Sequence, residues 1–103
     1  MTEEQIIRLA DAVLRDKLKT VGYESVAVRL EDDNDGDPAI YIDANLAPDT
    51  PLVDPKIFME ALSTLRDELI YNGERRFPYL YTKHPDDLYA YDIDPQPGEK
   101  AGS

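Results

Sequence analysis

At 103 residues, 42% of them hydrophobic, the chain has the length of one typical domain and enough apolar material for a core of its own. The absence of cysteine excludes disulfides, thiol nucleophiles and thiolate metal sites, and it fits a reducing compartment. A net charge of −11 argues against nucleic acids and anionic membranes, which proteins bind by neutralising phosphates with Lys and Arg; it permits solubility and attraction to a basic partner, though acidity of this kind is more often without a special role.

The opening stretch MTEEQIIRLADAV has neither the basic n-region nor the apolar h-region of a signal peptide. No apolar run approaches the roughly 18 residues that would cross a bilayer, so a cytoplasmic location is expected. Thr2 and Gln5 stand at capping-box spacing, with Glu3 and Glu4 placed favourably for a helix dipole. Apolar residues then recur at Ile6, Ile7, Leu9, Ala10, Val13, Leu14, Leu18 and Val21, which predicts an amphipathic helix closed by Gly22.

From Tyr23 the period changes to two. Val26, Val28 and Leu30 alternate with Ala27 and Arg29, and Ile40 and Ile42 alternate with Tyr41 and Asp43, as in strands with one buried face. The turn formers EDDNDGDP between them predict an antiparallel hairpin. After an extended connector, Asp54-Pro55 marks a helix start. Ile57, Phe58, Ala61, Leu62, Leu65 and Leu69 form its apolar face, and Gly73 its end. Met59 and Ile70 fall off that face beside Arg66, either as spare apolar positions or as contacts with a third strand or another chain.

FPYLYT after Arg75 and Arg76 predicts a third strand, held to a sheet edge or a strand start by Pro78. The segment LYAYDI reads equally as a fourth strand or a short helix within residues 85–93. Residues 1–94 are thus expected to form one α+β domain, with 95–103 as a flexible tail. The expected architecture is a two-layer sandwich in the order α-β-β-α-β(-β), an antiparallel sheet with two helices on one face. Its other face would show Ala27, Arg29, Tyr41 and Asp43 and be half-solvated.

Few residues carry a chemical signature. Glu31, Asp33, Asp35 and Gly36 match four positions of an EF-hand loop, yet Ile42 stands where the bidentate Glu belongs and the flanks read as strands. A solvated hairpin tip explains them better. His84 is the lone histidine, in a turn-forming KHPDD segment where an exposed ring needs no special role. Neither a phosphate-binding glycine loop nor a GxSxG elbow occurs, and the 22 acidic residues make no single carboxylate pair informative. No catalytic residue, cofactor or metal is expected.

The remaining concentration is Arg75, Arg76, Phe77, Tyr79 and Tyr81. The favoured reading is that these aromatics finish the core while the arginines pair with local acids; the alternative is an interface. Ahead of that flexible tail, Leu88, Tyr89, Tyr91 and Ile93 are expected to fold back on the body of the domain. The functional expectation is a non-enzymatic interaction domain that binds a protein partner or itself as a homodimer. Its candidate contact residues are Met59, Arg66, Ile70, Arg75, Arg76, Phe77, Tyr79 and Tyr81. The alternative is an inhibitor, antitoxin-like protein or nucleic-acid mimic that neutralises a basic partner. A KH-like RNA binder matches in topology only, with GERR where that module has its GXXG clamp, and a small hydrolase comes last.

Overall fold

The computed structural model describes residues 1–85. Helix α1 (Glu3–Lys17) begins with the expected capping box: Gln5 N donates to Thr2 Oγ1 at 3.2 Å, and Thr2 N donates to Gln5 Oε1 at 2.9 Å. It buries Ile6, Ala10 and Leu14. The α-helix stops four residues before Val21. A 3₁₀ turn (Lys19–Val21) takes over, tucks Leu18 and Val21 into the core and re-aims the chain. Gly22 closes this turn at φ +88°, and a Cβ there would lie 2.5 Å from Thr50 Cγ2, so two constraints select glycine.

Strands β1 (Tyr23–Asp32) and β2 (Pro38–Leu46) pair antiparallel as their short polar connection predicts, with Val28 opposite Ile42 and Leu30 opposite Ile40. The tip is self-contained: Asp33 Oδ1 accepts from the N–H groups of Asp35 (2.9 Å) and Asp37 (3.0 Å), an Asx-type turn. Helix α2 (Pro55–Tyr71) starts where Asp54 Oδ1 accepts from Lys56 N at 2.7 Å. It ends in a Schellman arrangement, Glu74 N to Leu69 O and Gly73 N to Ile70 O, with Gly73 at φ +86°.

Strand β3 (Phe77–Lys83) then joins β2, giving a sheet of order β1-β2-β3. Pro78 is accommodated because β3 is an edge strand. The two-helix, three-strand α+β architecture is as expected, but the sheet is mixed where an antiparallel one was anticipated, because β3 runs parallel to β2. The cause is α2. Its 17 residues span about 25 Å at 1.5 Å each, so it carries the chain back to the end where β2 began. Whether LYAYDI adds a strand or a helix, whether the Leu88–Ile93 segment folds back, and the boundary at residue 94 all lie outside the described residues.

Both helices cover one face of the sheet. Ile6, Leu14, Leu18, Ile40, Ile42, Leu46, Leu65 and Leu69 are fully buried between the layers. Val26, Val28 and Leu30, on edge strand β1, are half-buried against them. No helix among the described residues is long and apolar enough to cross a membrane.

Candidate functional site

Strand register decides what the other face of the sheet displays. From the acidic tip downward its rows are Glu31–Ala39–Phe77, Arg29–Tyr41–Tyr79, Ala27–Asp43–Tyr81 and Ser25–Asn45–Lys83. Alternation within β3 sends Pro78 and Leu80 toward the helices and Phe77, Tyr79 and Tyr81 the opposite way. The expectation that these aromatics finish the core is therefore overturned: Phe77 is 51% and Tyr81 45% exposed. The smaller residues of β3 continue the rows of Ile40 and Ile42 instead.

Three of the rings, Tyr41, Tyr79 and Phe77, are in direct contact, and Tyr81 lies in the next row. Tyr41 and Tyr79 stack with centroids 5.2 Å apart, and Phe77 meets Tyr79 edge-on at 4.9 Å. The Arg29 guanidinium lies over the Tyr41 ring at 5.1 Å while its Nη1 donates to Glu31 Oε2 at 3.2 Å. Ala39 is buried on this open face because larger side chains flank it on every side. Asp43 is buried as well. Its Oδ2 sits 3.5 Å from Lys83 Nζ and 3.9 Å from Arg29 Nε, whereas its Oδ1 accepts no hydrogen bond among the described residues.

The hairpin tip reaches over the upper rows, where the Tyr79 hydroxyl donates to Asp33 Oδ2 at 3.2 Å. The Asp33 carboxyl is held below its ordinary value, chiefly by the Asp37 backbone N–H and further by Asp35, Tyr79 and Gly36. The Tyr79 and Tyr41 phenols are pushed up, first by burial and then by the Asp33 charge. The ionised Asp33 carboxylate and the protonated Tyr41 and Tyr79 phenols offer this face hydrogen-bond acceptors and donors.

The other candidate residues lie elsewhere. Met59 and Ile70 are 57% and 63% exposed on the outer side of α2, next to exposed Arg66, so no strand among the described residues covers them. They and the aromatics occupy opposite sides of the sheet and do not form one site. Arg76 pairs locally, as anticipated for the arginines: Nε donates to buried Glu74 Oε2 at 2.9 Å and Nη2 donates to the Met1 carbonyl at 3.1 Å. The Met1 ammonium completes this cluster, 3.4 Å from Glu74 Oε1. Burial pushes the Glu74 carboxyl up, but the Arg76 N–H groups and the ammonium outweigh it and hold it below its ordinary value. Arg75 is exposed and lines a hollow of about 280 Å³ with Asp37, Pro38, Arg76 and Phe77, just beyond the upper row. His84 is half-buried after β3, not fully exposed as its turn suggested.

Arg29, Tyr41, Asp43 and Lys83 join the site without having been singled out as contact residues. Three of them were assigned to this face by alternation; the missing step was the register that sets β3 beside them. Compared with known proteins, the chain matches no family model, no curated protein and no solved structure. The geometry alone carries the functional reading.

Proposed function

We propose that the chain is a non-enzymatic interaction domain whose open sheet face binds another protein. The observation that supports this most is the contrast in cover: one face lies beneath two helices, while the other presents Tyr41, Phe77, Tyr79 and Tyr81 with no layer over them among the described residues. Isolated exposed apolar side chains are ordinary on a protein surface, but rings in adjacent rows, three of them in contact, bordered by charges, have the composition of an interface centre with its polar rim. Tyr and Arg combine contact area with directed hydrogen bonds, which makes Tyr79 and Arg29 natural anchors. Self-association through this face is the variant in which the partner is a second copy.

The test compares two surfaces of the same molecule. Affinity capture from the source cell, combined with light scattering, is run on the wild type, on Phe77→Thr/Tyr81→Thr and on Met59→Glu/Ile70→Glu. The expected result is a partner, or a dimer, lost in the sheet-face variant and retained in the α2 variant. The reverse pattern, or a monomer without partners at high concentration, overturns the reading.

A further inference from the structure

From the open face, and resting on the binding role proposed for it, we infer that its occupant is a basic polypeptide segment of a partner protein, with Arg or Lys side chains laid across Tyr79, Phe77 and Tyr81 and their charges met by the acidic tip. The charge distribution singles out this class. Between residues 31 and 37 the chain places Glu31, Asp32, Asp33, Asp35 and Asp37 with no cation among them, at the margin of the aromatic rows. The Tyr79–Asp33 hydrogen bond ties that margin to the rings. Arg29 attends Glu31 at 3.2 Å and, with Lys83, Asp43 lower on the face, so the negative charge without an ion pair among the described residues lies on Asp32, Asp33, Asp35 and Asp37 at the tip.

The molecule contains two internal examples of the proposed contact. Arg29 lies over Tyr41 with its guanidinium bonded to Glu31, and Arg15 lies over Tyr23, 5.2 Å from the centroid, with its guanidinium bonded to Asp11. A cation held between a ring and a carboxylate is thus a stable arrangement in this protein, and Phe77 and Tyr81 offer rings over which no cation is placed among the described residues. A second copy is disfavoured as occupant because each protomer carries −11, and single-stranded nucleic acid is disfavoured for the same reason.

The experiment measures anisotropy of a fluorescent Arg-Ser-Gly repeat peptide at low and moderate salt, with a Glu-Ser-Gly repeat and an oligothymidylate as comparison probes. The full chain should bind the arginine peptide, increasingly weakly as salt rises. Phe77→Thr/Tyr81→Thr and the tip variant Glu31→Gln/Asp35→Asn/Asp37→Asn should each weaken binding about tenfold. Glu60→Gln/Asp67→Asn/Glu68→Gln, an equal charge change on the exposed side of α2, should leave it unchanged. Equal loss in both charge variants with none in the ring variant reduces the binding to diffuse attraction and overturns the inference. Preference for oligothymidylate also overturns it. If no probe binds but partner capture still depends on Phe77 and Tyr81, the basic occupant is wrong and the interface stands; if capture is independent of them too, both fall.

Discussion

The two faces of this sheet are built from the same three strands and differ in nearly every physical respect. On the covered face Ile40, Ile42, Ala44 and Leu80 alternate inward and lie beneath α1 and α2. On the open face the intervening residues Tyr41, Phe77, Tyr79 and Tyr81 remain partly in water, and Asp43 is buried among them beside Lys83. Both faces are rich in carbon, and β3 even places its larger rings outside. Size and apolarity therefore do not decide which face becomes the core; the position of the helices does. The covered face should govern stability and the open face association.

The largest expected effect comes from the covered side. Leu65→Ala removes a fully buried side chain between the layers and should cost about 3 kcal/mol in denaturant unfolding. A loss below about 1 kcal/mol would mean that the helix layer is not the core. Glu74→Gln follows, at about 2 kcal/mol near neutrality, because it leaves Arg76 and the Met1 ammonium without their buried counter-charge. Its pH dependence has a definite sign. Glu74 has a folded value below its ordinary 4.5, so its contribution is present above that value and fades as pH falls through the lower folded one. Wild type should lose stability over that acidic window, and the variant should lose less; parallel acid titrations of the two would contradict the cluster.

Gly22→Ala should cost about 1.5 kcal/mol, since φ is positive there and the new methyl meets Thr50. Thermal melts of Gly22→Ala beside Gly36→Ala separate the two causes, because both glycines have positive φ but nothing lies within 4 Å of a Cβ at Gly36. The larger loss belongs at Gly22; equal losses would leave Thr50 without a role. The smallest effect belongs to the open face. Phe77→Thr/Tyr81→Thr keeps strand-favouring residues at half-exposed positions and should change stability by less than about 1 kcal/mol. A cost equal to that of Leu65→Ala would show that these rings are structural.

Local chemistry was legible in the sequence wherever a residue acts on its own neighbours. Thr2 with Gln5, Asp54 with Pro55, and Gly73 each set a helix end through contacts a few residues away. The alternation of Val26 to Leu30 and of Ile40 to Ile42 put Arg29, Tyr41 and Asp43 on one face for the same reason. The end of α1 was less readable, because the change to a 3₁₀ turn answers to the packing of Leu18 and Val21. The direction of β3 is set by where α2 returns the chain, which no residue of β3 encodes. That placement also inverted the reading of its aromatics. Pro78 and Leu80 look like the weaker apolar set until the register sets them beside Ile40 and Ile42.

The most direct test of the division between a face that folds and a face that binds is fluorine NMR of the fluorotyrosine-labelled chain, titrated with its captured partner. Tyr41, Tyr79 and Tyr81 lie on the open face, Tyr23 hydrogen-bonds to Asp11 on the helix side, and Tyr71 is exposed at the end of α2. Binding should shift the resonances of Tyr41, Tyr79 and Tyr81 and leave those of Tyr23 and Tyr71 in place. Movement of Tyr71 with the open-face tyrosines unchanged would put the interface on α2 and contradict the account.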